Sequence, residues 1–258
     1  LKESVRISHA IAEIANIAPD THQPYVGVSS FAHKAGLHAS ALKVNYELYN
    51  HEDAGAVGND MRVLVTEMAG RASVELKSKE LGYDLSGDPE LLGRVTDRVK
   101  DLEATGWTFE AADASFELLI ADERDKGRMR PFTVESWRTI VEQRIDGEVV
   151  SEATVKVLVG DRRVVAVGEG NGPVNALDNA LRAAVQEVFP HLADVQLVDY
   201  KVRILEGVKG TGAVTRTLVG SSDGQRRWDT VGVHENVIAA SWMALEDAVA
   251  YGLLRASR

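Results

Sequence analysis

The segments GDRRVVAVG, Gly160 to Gly168, and GQRRWDTVG, Gly224 to Gly232, match along their length, and beyond them Ala176, Ala180 and Leu181 recur as Ala240, Ala244 and Leu245. All of these pairs share one offset, and a constant offset means two copies of one supersecondary unit. Alternating runs in each copy predict three strands: Thr139–Arg144, Ala153–Val159 and Arg163–Val167, then Val195–Ile204, Ala213–Val219 and Arg227–Val231. A helical run follows each set, Pro173–Val188 and Asn236–Leu254, so the unit is β-β-β-α. A sheet covered by its two helices on one face leaves the other face to find a partner, which points to a dimer built sheet to sheet. Trp228, Tyr200 and Trp242 are expected in the core.

Upstream the period is helical. Ile7, Ala10, Ile11, Ile14, Ile17 and Ala18 form one stripe between Lys2 and Ala18, and Pro19 stops it. His9 lies off that stripe and reads as a solvated surface residue. Further on, LKSKELGYDL predicts a helix ending at Gly82, and Asp88-Pro89 starts another as cap and first residue, with Leu91, Leu92, Val95, Val99 and Leu102 on its apolar face. Gly106 closes that helix, and Ala111–Ala121 is a further one. The charge run Asp122–Arg130 reads as a solvated loop and as the domain boundary. The expected fold class is α+β: a mainly helical linker region, residues 1–121, then a domain of two β-β-β-α repeats, residues 131–258.

The 258 residues carry a formal charge of −10 with no basic run to offset it, which argues against nucleic acid or an anionic membrane surface as partner. The absence of cysteine excludes disulfides, thiolate nucleophiles and Cys-ligated metal centres, and a reducing cytoplasm is compatible. No apolar stretch is expected to reach the roughly 20 residues of a membrane helix, and no signal segment opens the chain. The chain starts at Leu1 inside a helical pattern, which suggests a piece of something longer.

Two stretches are candidates for chemistry. Phe31–Arg71 holds three of the seven histidines, His33, His38 and His51, with Tyr46 and Tyr49 nearby, so it is the place for proton transfer. On residue types alone, the preferred reading of His33 and His38 is as polar residues of a short helix. The turn Gly168-Glu-Gly170-Asn-Gly172-Pro173 follows a strand and opens a helix, so amides at the helix start can receive a carboxylate or phosphate. It fails as a dinucleotide fingerprint, because the third glycine would fall at Pro173.

The segments FAHKAGLH, YNHEDAGAVGN and TEMAGR, with VAVGEGNGPVNALDNAL and LVDYKVRILEG further on, resemble the isopropylmalate, homocitrate and citramalate synthases, with the citramalate flavour nearest. These are Claisen-condensing acyltransferases, and the resemblance covers nearly the whole chain. It implies that an amino-terminal barrel, holding a divalent metal, is absent from this sequence, and that the metal-ligand set within the chain is none. It implies catalytic roles for His38, in Ala35-Gly36-Leu37-His38, and for Tyr49, nine residues before Gly58. It further implies a homodimer, acetyl-CoA and a 2-oxo acid (pyruvate) as substrates of the full enzyme, and a branched-chain amino acid, isoleucine, as feedback effector. Position at the two helix starts then selects Asn171, Gly172, Val174 and Asn175 for the effector, with Asn236 as their counterpart in the second copy. Leucine or lysine as effector of a sister enzyme, and a stand-alone amino-acid sensor, are the alternatives.

Overall fold

The computed structural model describes residues 1–15, 20–33, 36–63, 70–125, 130–205 and 207–256. The chain divides into two compact units, Leu1–Glu103 and Ala104–Arg258.

In the first unit the stripe of α1 (Ser4–Ala15) faces outward, with Ile7, Ile11 and Ile14 exposed; its expected continuation through Pro19 lies outside the described residues. A two-residue parallel pair, β1 (Ala32–His33) with β2 (Arg62–Val63), brackets α2 (Gly36–Val44). Asn59 pins the approach to it, its amide donating to the carbonyls of Tyr25 and Gly27 and to Ser30 Oγ. Helix α3 (Arg71–Glu80) ends before Gly82, which takes φ +88°, a conformation glycine adopts without strain. Asp88 Oδ1 accepts from Leu91 N at 2.9 Å and caps α4 (Pro89–Ala104), which buries Leu91, Leu92, Val95 and Val99.

The second unit is the expected repeat. Strands β3 (Thr133–Gln143), β4 (Val149–Val159) and β5 (Arg162–Gly170) form one antiparallel sheet followed by α6 (Pro173–Val185). Strands β6 (Gln196–Ile204), β7 (Thr215–Ser222) and β8 (Arg227–His234) form the other, followed by α7 (Val237–Ala256). The strands are thus shared between two three-stranded sheets rather than one. Gly168 and Gly232 bring strand and helix together in each copy: a Cβ on Gly168 would strike the backbone of Ala176 and Ala180, and one on Gly232 that of Ala240 and Ala244. The first core joins Val155 and Val157 to Leu177, Leu181 and Val185, and the second gathers Val219, Ala244, Leu245 and Ala248. On β5, Val164 and Ala166 pack into the first core, while the alternate residues Val165 and Val167 are about half exposed on the opposite face.

Three expectations are corrected. The boundary falls before the charge run, because α5 (Asp113–Asp125) packs on β8 and α7 of the second unit. Asp122 and Arg130 are not simply solvated either: Arg130 bridges Asp122 at 2.6 Å and Asp247 of α7 at 2.8 Å. Helix α7 is long and apolar enough to cross a membrane by length and composition, yet more than half of it is buried in the second unit.

Candidate functional site

In the first unit the ring of Tyr49 stacks on His38 with centroids 4.0 Å apart, and His33 meets His38 edge to face at 5.9 Å. Asn50 orients His33: its amide nitrogen donates to the carbonyl of Tyr46, so its Oδ1 is left to accept from His33 Nε2 at 2.7 Å. Nδ1 is then the ring nitrogen that can act as acceptor. His51 stacks on Phe31 at 5.0 Å. The two residues selected in sequence, His38 and Tyr49, are thus in ring contact, and His33 and Asn50 join them. Ala35, ahead of His38 in the motif, lies outside the described residues.

In the second unit a cavity of about 790 Å³ opens at the start of α6. Four of the five residues selected for an effector line it: Asn171, Gly172, Val174 and Asn175. Gly172 is the N-cap in extended conformation and offers no side chain to the helix amides, and Pro173 fills the first helical position. The amide ends of the next residues are therefore the electropositive end of the cavity. Asn175 Oδ1 accepts from Asn171 N at 3.2 Å, which fixes the turn. Farther along the wall Asp178 and Arg182 pair at 3.0 Å, and Arg182 also donates to the Val195 carbonyl at 2.7 Å, tying α6 to the start of β6. Leu197 and the half-exposed ring of Tyr200 supply apolar surface. Tyr200 is thus a cavity wall and not the core residue expected of it.

Asn236 does not line this cavity. Its Oδ1 accepts from Ile238 N at 2.8 Å and Ala239 N at 3.2 Å, so it is the N-cap of α7. In the second copy the matching place is filled, and the repeat shows by what. The offset that carries Val155 to Val219 also carries Asp178 to Trp242. Trp137 opposes Val155, and Tyr200 opposes Val219, which makes Trp137 the counterpart of Tyr200. Trp137 and Trp242 pack with ring centroids 5.7 Å apart, alongside Phe132, Val134 and Ile238. Two indoles fill in one copy the place that a tyrosine and an aspartate leave open in the other.

A second cavity, about 820 Å³, lies by the carboxyl end of α7 between His191, Arg226, Trp228, Tyr251 and Arg255. Arg255 is committed to the buried Glu117, and Arg227 to Asp199 and Asp229. Burial, with the neighbouring Glu117 carboxylate, pushes the Tyr251 phenol well above its ordinary range.

A family model described as the LeuA allosteric (dimerisation) domain matches residues 110–253. The chain belongs to this family. The match begins ahead of α5, in keeping with the place of that helix in the second unit. Residues 25–106 match a model described as the homocitrate synthase post-HMGL domain-like family, which takes in the His38–Tyr49 pair. The LeuA domain and the stretch before it are similar along their whole length to curated proteins. The (R)-citramalate synthase of Streptomyces coelicolor is 64% identical over 256 residues, 99% of this chain and 48% of the relative. That of Aquifex aeolicus is 43% identical over 257 residues, 99% of this chain and 48% of the relative, and that of Synechocystis sp. is 45% identical over 251 residues, 95% and 46%. The chain therefore spans about half the length of the curated relatives it matches. The cavity lined by Asn171 and Tyr200 belongs to the LeuA allosteric domain.

Sequence reasoning missed Asp178, Arg182, Leu197 and Tyr200 as lining residues. An acid and a base four apart on a helix look like a solvated pair. Only the chain at Val195 and Leu197, held to α6 by the Arg182 bond, turns them into a wall.

Proposed function

We propose that this chain is the regulatory part of an acyltransferase that condenses acetyl-CoA with pyruvate to citramalate, and that the cavity at the start of α6 takes isoleucine as feedback effector. The observation that carries the effector reading is the polarity of this cavity. The α6 amides and Asn171 suit a carboxylate, Asp178, paired with Arg182, keeps carboxylate lone pairs one turn on for an ammonium group, and Val174, Leu197 and Tyr200 line an apolar pocket for a branched side chain. The LeuA family match and the names of the relatives support the enzyme reading.

In the longer enzyme His38 and Tyr49 would serve the condensation. That reaction removes a weakly acidic methyl proton, protonates the alkoxide formed at the keto carbon and hydrolyses a thioester. An imidazole exchanges protons in any of these steps, and a stacked phenol donates to a developing oxyanion or orients water. The divalent metal that polarises the keto acid would be held by the portion of the relatives that this chain does not match. The proposal includes a homodimer through the apolar surface that the first sheet leaves open, with Val165 and Val167 on β5 about half exposed.

Isothermal titration calorimetry of the chain with isoleucine, leucine, valine and lysine tests the effector reading. Isoleucine is expected to bind preferentially; preference for leucine or lysine would move the enzyme to a sister reaction. Binding by none of them would overturn the effector assignment.

A further inference from the structure

The Tyr200 wall of the effector cavity is held within the second repeat by a hydrogen bond to α7. Tyr200 OH lies 2.7 Å from Ser241 Oγ on α7, and Ser241 Oγ donates to the Val237 carbonyl one turn back at 2.6 Å. Ser241 has a single hydroxyl proton, so the phenol must be the donor to Ser241. Thr217 Oγ1 lies on the other side of Ser241 at 3.4 Å, and both Thr217 and Ser241 are fully buried.

The repeat shows that folding does not require this arrangement. At the matching positions of the first copy stand Leu177 for Ser241, Ala153 for Thr217 and Trp137 for Tyr200. Leu177 and Ala153 are packed in the apolar core, and Trp137 lies against it. The same β-β-β-α unit therefore forms with no hydroxyl at any of the three positions. Buried hydroxyls lose solvation that an apolar residue does not, and at the Thr217 and Ser241 positions only the copy whose tyrosine walls the open cavity carries them.

We infer that Ser241 is a positioning residue of the effector cavity: by accepting the Tyr200 phenol proton it fixes the ring that forms the apolar wall, and so sets both affinity and the choice among branched side chains. The inference rests on the effector reading above. Ser241 itself is absent from the cavity lining, so it acts on the ligand through Tyr200.

The test is a double-mutant cycle read by calorimetry with isoleucine and with leucine, on wild type, Ser241→Ala, Tyr200→Phe, the double variant and Ser241→Thr. Either single loss is expected to weaken isoleucine by roughly three- to tenfold, the net worth of one hydrogen bond, and to narrow the gap to leucine. The double variant should be no worse than either single one, because both remove the same bond. Ser241→Thr, which keeps the hydroxyl, should restore wild-type selectivity and guards against a mere folding defect. Wild-type affinity and selectivity in Ser241→Ala, or losses that add in the double variant, would overturn the inference while leaving the effector reading in place. A wild-type chain that binds none of the amino acids would overturn both.

Discussion

Gly168 and Gly232 stand at the same point of the two repeats, each with the backbone of the following helix where its Cβ would be. Both keep ordinary negative-φ or extended backbone, so the demand is for space and not for an unusual conformation. Alanine at either position should therefore push helix from sheet and cost about 2–3 kcal/mol. Denaturant midpoints of Gly168→Ala and Gly232→Ala measure this. Similar losses for the two would mark them as equivalent joints.

The two asparagines at equivalent helix starts should separate cleanly. Asn236→Ala removes the cap of α7 and should lower stability by about 1 kcal/mol without changing effector affinity. Asn171→Ala, in the cavity wall, should weaken effector binding. Paired thermal melts and calorimetry distinguish the two effects.

The Arg130 bridge makes a pH-dependent prediction. Burial raises the Asp247 carboxyl above its ordinary value of 3.8, a shift that Arg130 and Ser115 only partly offset, and burial raises Glu246 as well. Burial also works against the Arg130 charge, but its bonds to Asp122 and Asp247 outweigh that and hold it protonated. A carboxyl whose folded value is raised binds more protons folded than unfolded, so its favourable contribution is complete at and below about pH 4 and is lost as pH climbs through the folded value. Arg130→Met should thus cost roughly 3 kcal/mol at neutral pH, where Asp247 is left charged and unpaired, and distinctly less near pH 4. Urea unfolding at the two pH values reads the difference.

Tyr49→Phe keeps the ring on His38 and removes only the phenol oxygen. In the longer enzyme it should lower turnover by about a hundredfold if the phenol serves proton transfer, with stability of this chain within about 0.5 kcal/mol of wild type. Steady-state rates alongside thermal melts decide it.

The repeat was legible because both copies keep the glycine and alanine positions that join helix to sheet, and these survive as a constant offset. The cap at Asp88 was legible for a local reason too, while the strand ends were not: the first strand was expected from Thr139 and begins at Thr133, and the second from Ala153 and begins at Val149. The boundary was not: Asp122 and Arg130 look like a solvated run until α7 brings Asp247 to them from far along the chain. Nor was the counterpart of Tyr200. The edge-strand bulges, between Val134 and Ser136 and between Leu197 and Asp199, stand at matching points, but the connection from Ile204 to Thr215 is one residue longer than that from Val141 to Ser151, so the offset points to Ser136 while the register points to Trp137. That shift hid the two indoles that fill, in the second copy, the place of the cavity at the start of α6.

We place the effector in the cavity at the start of α6. The most direct measurement is amide NMR of the chain titrated with isoleucine. The account predicts shifts from Asn171 to Asp178 and around Leu197 to Tyr200, with the start of α7 at Asn236 and Val237 undisturbed. Shifts centred on Asn236, or on the cavity at Arg226 and Tyr251, or none at all, would contradict it.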